Sequence, residues 1–247
     1  MMTSQGILHC LTVAILLSFC GCDGSTSEAP VPPAAQLKIE LPQVEQRLCT
    51  AVVILIDTST SMLNAVKDSE GRRRSKAEIA REALEQVIRT TGERTRARPE
   101  LRLELGIYRF SDTVSQILAM DAFNEELALD SLANLRTSSG TAIGRALEVA
   151  FRSVHATGCV RKHVLCITDG DNSSGPSPEQ VGKALHAASG GDTAIHFIAF
   201  NTSSKKFAFL EKIGGEVVEA MDGAQLVEQL SEIYEKRILA EAEPEDG

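Results

Sequence analysis

The stretch that decides the fold is AVVILIDTSTS, residues 51–61, in which six apolar residues run directly into a polar turn. An unbroken run of alanine, valine, isoleucine and leucine is typical of a strand buried on both faces, as in parallel sheets. The run ends at Asp57. We therefore expect a central parallel strand with an oxygen-rich turn at its carboxyl end.

Further strands follow along the chain. Residues 164–167 form a second apolar run ahead of Asp169, and residues 195–200 form a third that His196 interrupts. Residues 101–110 alternate apolar with polar side chains, and residues 114–120 follow after a link of only three residues. Because so short a link cannot make a parallel crossover, we expect an antiparallel hairpin at the sheet edge.

Helical periodicity alternates with these strands. Apolar residues recur at helical spacing in residues 77–88, 143–154 and 226–238. Shorter helices are predicted over residues 125–135, 178–188 and 205–213. Six strands and about six helices in this order predict an α/β fold. We expect a doubly wound open sheet, mainly parallel with one antiparallel edge strand, and helices on both faces.

Composition narrows the class of protein. The 247 residues are long enough for one domain of roughly two hundred residues. Aromatic residues make up 4%, without tryptophan, so the core must be aliphatic. The net charge is −9. An acidic chain without a concentrated basic stripe is a poor candidate for nucleic-acid binding, which requires phosphate neutralisation.

The N-terminal residues have the features of an export signal. An apolar stretch ends at Gly21 and Cys22, too short for a comfortable membrane span, and resembles a lipoprotein processing site. Cys22 would then be the lipidated N-terminus. Phe19 stands where leucine is usual, and no Lys or Arg precedes the apolar core. A cleaved signal and an uncleaved anchor therefore stay open as alternatives to lipidation. Each of the three predicts a cell-envelope or periplasmic protein.

The chain divides into four parts by composition. We expect a signal peptide (residues 1–22), a flexible Pro- and Ser-containing tether (23–47), one domain (48–240) and an acidic tail (241–247).

Three polar segments stand at the ends of predicted elements: two follow buried strands and one precedes a helix. They are Asp57 to Ser61, Ser139 to Thr141, and Thr168 to Gly170. In the strand order 3-2-1-4-5-6 the first and fourth strands are neighbours where the winding reverses, and ligands bind beyond their carboxyl ends. If the strand before Asp169 is the fourth, both aspartates lie at that crevice.

The chemistry of these side chains indicates a metal ion. Two carboxylates and three hydroxyls are hard oxygen donors, which suit Mg²⁺ or Mn²⁺. So few charged ligands leave the cation with positions for an incoming carboxylate. The candidate metal ligands are Asp57, Ser59, Ser61, Thr141 and Asp169.

This set resembles the metal-ion-dependent adhesion site of von Willebrand factor A-type domains, which is Asp-x-Ser-x-Ser followed by a Thr and an Asp. The resemblance implies that Asp57, Ser59 and Ser61 form the core of the site. It implies that Thr141 binds directly or through water, and Asp169 mostly through water. An Asp or Glu of a partner protein would complete the octahedron.

The resemblance covers about residues 49–240 and implies a Rossmann-like fold and a protein-binding module. Each piece also has a simpler interpretation. Asp57 and its serines could cap the next helix, Thr141 could start one, and Asp169 could belong to an ordinary turn. All three pieces in the family's order favour the metal site.

Two other functions compete with a binding module. One is a metal-independent scaffold of a membrane-associated assembly. The other is a metal-dependent hydrolase, since Asp57 ends a strand as an aspartyl-phosphate nucleophile would. Ser59, however, replaces the second acid of many such phosphatases, and the chain has no phosphate loop, G-x-S-x-G or H-E-x-x-H motif. We therefore expect no enzyme activity. The identity of the partner and the oligomeric state stay open.

Cys49 and Cys159 stand just ahead of the first and fourth strands. We hypothesise a disulfide between them at the end of the sheet opposite the metal, favoured by an oxidising compartment. Cys166 is predicted to be a core residue. The basic insertion, residues 63–75, is expected near the metal, either selecting an acidic partner or having no role. The histidines lack metal-ligand spacing and are expected to be structural.

Overall fold

The computed structural model describes residues 37–133 and 135–242. Its strands are β1 (Arg47–Asp57), β2 (Ala65–Lys67), β3 (Arg73–Ser75), β4 (Leu103–Phe110), β5 (Val114–Ala122), β6 (Cys159–Thr168), β7 (Thr193–Phe200) and β8 (Glu216–Ala220). Its α-helices are α1 (Lys76–Ala97), α2 (Glu125–Leu132), α3 (Ile143–Ala156), α4 (Pro178–Ser189), α5 (Gly223–Ser231) and α6 (Ala240–Ala242).

The main sheet has six strands in the order β5-β4-β1-β6-β7-β8. Pairing is parallel throughout except between β4 and β5, which are antiparallel. Numbered along the chain within this sheet, the order is 3-2-1-4-5-6. The predicted doubly wound sheet with one antiparallel edge strand is therefore confirmed.

Strand β1 is buried on both faces, as its unbroken apolar run predicts. Val52, Ile54 and Ile56 pack in one cluster with α1, α2 and α5, whereas Val53 and Leu55 pack in the other with α3 and α4. Burial of each large aliphatic side chain stabilises the fold by about 1.5–3 kcal/mol. Helices cover both faces of the sheet.

The helix predicted over residues 205–213 is wrong in type. Two 3₁₀ turns, Ser204–Phe207 and Glu211–Ile213, occupy this segment. The buried residues Phe207, Leu210 and Ile213 are three positions apart, which matches the 3₁₀ repeat of three residues per turn. The last helix also changes geometry, because α5 continues as a π-helix, Glu232–Leu239, before α6.

The insertion, residues 63–75, contains an antiparallel hairpin of β2 and β3 instead of an irregular loop. At its tip the Asp68 carboxylate accepts hydrogen bonds from the backbone N–H groups of Glu70 and Arg72. Arg72 pairs with Asp68, and Arg74 pairs with Glu82 on α1. The basic charges of Arg72 and Arg74 are therefore matched within the domain.

The ends of the chain are described in part. The predicted signal peptide with Cys22, the tether up to residue 36 and residues 243–247 lie outside the described residues. Residues 37–46 form no helix or strand, and Leu41 packs into the core together with Ile39. Within the described part of the chain, none of the helices is long and apolar enough to cross a membrane.

A disulfide joins Cys49 and Cys159 near the amino ends of β1 and β6, with their Cα atoms 4.8 Å apart. This end of the sheet is opposite to Asp57. Cys166 is a buried free thiol in β6.

Replacing both bridged cysteines, Cys49→Ser with Cys159→Ser, is expected to lower the free energy of unfolding by about 4 kcal/mol, because the bridge closes a long loop of the unfolded chain. Urea denaturation measures the loss. Alkylation of denatured, unreduced protein followed by peptide mapping should label Cys166 and neither Cys49 nor Cys159. Labelling of all three cysteines would contradict the bridge.

Two histidines form a buried stacked pair beneath the last helix. The ring centroids of His163 and His196 are 5.6 Å apart, and the nitrogen Nδ1 of His163 lies 3.3 Å from Nε2 of His196. Burial, together with the nearby charges of His196 and Arg161, lowers the pKa of His163 to about 3. His163 is therefore neutral in the folded protein at neutral pH.

Because the unfolded chain binds a proton at His163 below about pH 6.5 and the folded chain does not, stability should fall as pH falls from there toward the folded pKa of about 3. The expected slope from this group is up to about 1.4 kcal/mol per pH unit. Urea denaturation between these pH values should show a shallower slope for His163→Leu. The exposed His186→Gln variant is the control, and equal slopes in all three proteins would contradict the assignment.

Candidate metal centre

Asp57 is the last residue of β1 and is fully buried. Ile56 pairs with Ile167 across β1 and β6, so Asp57 lies beside Thr168 at the carboxyl ends of these strands. Thr168 Oγ1 donates a hydrogen bond to Asp57 Oδ2 at 2.6 Å, and the backbone N–H of Ser59 donates to Asp57 Oδ1 at 2.7 Å. The carboxylate is thereby fixed in position.

The two serines connect β1 to the end of β6. A 3₁₀ turn, Thr60–Leu63, bends the chain back after Ser59. Ser59 Oγ and Ser61 Oγ are 3.0 Å apart, and Ser61 Oγ donates to Asp169 Oδ1 at 2.6 Å. A chain of hydrogen bonds therefore runs from Ser59 to Asp169.

Thr141 reaches the same place from the loop before α3. The N–H of Ser138 donates to the carbonyl of Thr58 at 2.8 Å, which attaches this loop to the turn after β1. A β-carbon built on Gly170 would lie 3.3 Å from Thr141 Oγ1 and 3.8 Å from Asp57 Oδ2. Both oxygens therefore lie close to the same point beside Gly170, where a larger side chain would crowd them.

The structure brings all five predicted residues, Asp57, Ser59, Ser61, Thr141 and Asp169, to one corner of the sheet where the winding reverses. Their carboxylate and hydroxyl oxygens are the donors that a hard divalent cation prefers. Burial raises the pKa of the Asp57 carboxyl above its ordinary range, and the charge of Asp169 raises it further. Hydrogen bonds from Ser59 and Thr168 oppose this shift.

The sequence reasoning missed two side chains that contact the predicted site residues. Thr168 was seen only as part of a turn, although its hydroxyl holds Asp57. Lys76 was not singled out, yet its ammonium lies 2.7 Å from Asp169 Oδ2 with both side chains buried. A signal for Lys76 existed, because a lysine at the first position of a helix opposes the helix dipole.

Other acidic and metal-binding candidates lie apart from these contacts. Asp171 is exposed and pairs with Lys206. Cys49, Glu104 and Cys159 form a compact group at the opposite end of the sheet. Their two sulfurs are joined in the disulfide, so no thiolate pair is available there to bind a metal.

The structure is therefore an α/β domain with a cluster of oxygen donors at the carboxyl ends of its parallel strands. Residues 51–235 match the von Willebrand factor type A domain family. The chain belongs to this family. No curated protein matches the chain by sequence at a significant level.

Several solved structures share the fold. The PilB minor pilin from Streptococcus sanguinis superposes with a TM-score of 0.61 at 12% identity, over 81% of this chain and 63% of the pilin. The chain thus spans less than two thirds of that protein. The conserved hypothetical protein BatB from Bacteroides thetaiotaomicron superposes with a TM-score of 0.58 at 18% identity, over 76% of this chain and 98% of BatB. A von Willebrand factor type A protein from Catenulispora acidiphila superposes with a TM-score of 0.55 at 22% identity, over 75% of this chain and 42% of that protein.

The two aspartates should respond oppositely to amide substitution in the presence of a chelator. Asp57→Asn is expected to maintain or raise the melting temperature, because it removes a buried charge whose pKa is raised. Asp169→Asn leaves Lys76 buried without its carboxylate and is expected to cost about 3 kcal/mol. Thermal denaturation of both variants at pH 7 checks the contrast, and equal losses would contradict it.

Proposed function

We propose that this chain is a cell-envelope protein-binding module that recognises an acidic residue of its partner through a divalent cation. The observation that carries the proposal is the convergence of Asp57, Ser59, Ser61, Thr141 and Asp169 beside Gly170 at the carboxyl ends of β1 and β6. Family membership supports protein binding as the general role.

The donor set suits a cation that keeps a position for another ligand. Asp57 and Asp169 are the carboxylates of the set, and the other donors are neutral hydroxyls. Mg²⁺ or Mn²⁺ bound there would supply an electrophilic centre that accepts a carboxylate oxygen. An Asp or Glu of the partner protein is the complementary group.

The location in the cell envelope rests on the sequence of residues 1–22, with attachment through a lipid on Cys22 or through an N-terminal anchor. Two structural neighbours agree with this location. One is the minor pilin, and another is described as an aerotolerance-related membrane protein from Bacteroides fragilis.

A metal-independent scaffold is the second candidate function. The buried ion pair of Lys76 and Asp169 favours it, because the ammonium already compensates one carboxylate of the site without any metal. For a hydrolase the structure offers no comparable support, since Asp57 is fully buried and accepts hydrogen bonds on both oxygens.

Calorimetric titration of the purified protein with Mn²⁺ tests the metal function. Wild type should bind Mn²⁺, and Asp57→Ala should lose binding by at least about a hundredfold, because it removes a charged ligand. Asp171→Ala is the matched control, since this exposed carboxylate lies two residues from Asp169 and pairs with Lys206. Binding that survives Asp57→Ala would remove the metal claim.

Recognition of a partner is tested by affinity capture from solubilised envelopes, with wild type and Asp57→Ala, each with and without chelator. A partner that binds through the metal should be retained by wild type without chelator and lost in the other three samples. Equal capture in all four samples would favour the metal-independent scaffold.

A further inference from the structure

Lys76 is a buried cation in direct contact with the candidate metal centre. Its side chain is 6% exposed and that of Asp169 is 1% exposed, and Nζ lies 2.7 Å from Asp169 Oδ2. The other oxygen of Asp169 accepts the hydrogen bond from Ser61. One carboxylate therefore joins the ammonium to the set of hydroxyls around Asp57.

The local structure holds Lys76 firmly in this position. Ser75 caps α1, and its side chain and that of Glu78 form a reciprocal capping box. The backbone N–H of Lys76 donates to the carbonyl of Asn64 at 3.1 Å, next to the β2–β3 hairpin. The hairpin and the cap together fix where α1 begins.

This position is unfavourable for a lysine on general grounds. A cation at the amino end of a helix opposes the helix dipole. Removal of the ammonium from water costs several kcal/mol. Attraction to a buried carboxylate offsets this cost only where the geometry is excellent and further hydrogen bonds are made. A buried hydrophobic pair of similar volume is often at least as stable. The ion pair therefore calls for an explanation other than stability.

The net charge of the centre explains why a lysine is placed there. Asp57 and Asp169 contribute two negative charges and Lys76 one positive charge, which leaves a net charge of minus one. With a divalent cation present the centre carries plus one. Without Lys76 the same loaded centre would be neutral. The lysine therefore opposes binding of a metal ion and favours binding of an anion to the loaded centre.

We propose that Lys76 is the specificity-determining residue of the centre, which weakens its hold on a divalent cation and makes the loaded centre select a carboxylate. The proposal rests on the metal function proposed above. It makes binding of the metal and of the acidic partner mutually reinforcing, because each binds best when the other is present.

The test compares wild type, Lys76→Gln and Lys67→Gln in titrations with Mn²⁺, each in chloride and in acetate at equal ionic strength. Glutamine at position 76 removes the charge and retains a hydrogen-bond donor for Asp169. Lys67, exposed on β2, is the matched control. Lys76→Arg keeps the charge and should behave as wild type.

Lys76→Gln is expected to bind Mn²⁺ at least about tenfold more tightly than wild type, because a nearby like charge is removed. Acetate should tighten Mn²⁺ binding to wild type and to Lys67→Gln, and this enhancement should be smaller in Lys76→Gln. A purely structural role would change the melting temperature in chelator and leave both ratios unaltered.

Each remaining outcome decides between the proposals. Equal Mn²⁺ affinity of wild type and Lys76→Gln overturns the role of Lys76 and leaves the metal function standing. Absence of Mn²⁺ binding in both overturns the metal function itself. If circular dichroism shows Lys76→Gln unfolded in chelator, Mn²⁺ should refold it, since binding to the folded state alone stabilises that state. Failure to refold also overturns the role of Lys76.

Discussion

The parallel pairing of β1 with β6 is the constraint on which the site depends. Its register places Ile56 opposite Ile167, so that Asp57 emerges beside Thr168 at one end of the sheet. At the other end the same two strands carry the disulfide. A shift of one residue in this register would turn the alternate side chains of β1 to the opposite faces and separate the Asp57 carboxylate from the Thr168 hydroxyl.

The features that the sequence predicts correctly depend on periodicity and topology. The apolar run that ends at Asp57 reports burial on both faces, and the three-residue link after residue 110 excludes a parallel crossover. With the strand order known, the places of Asp57 and Asp169 follow from the fold. The gathering of the site residues was therefore predictable although they are far apart in sequence.

The features that escaped prediction depend on contacts between distant segments. Residues 205–213 have apolar residues at a spacing that fits an α-helix and a 3₁₀ turn almost equally well. The position of Lys76 at a helix start is unusual for a lysine, but its burial depends on a contact with Asp169, which lies 93 residues later in the chain. The strands β2 and β3 have only three residues each, too few for hydrophobic periodicity to detect.

The direction of β1 separates the entry of the chain into the sheet from the oxygen cluster. The chain enters this strand at Arg47 and leaves it at Asp57, ten residues later. At about 3.3 Å per residue the two ends are roughly 33 Å apart. The oxygen cluster therefore lies at the pole of the described domain opposite the disulfide and the entry of the chain into β1.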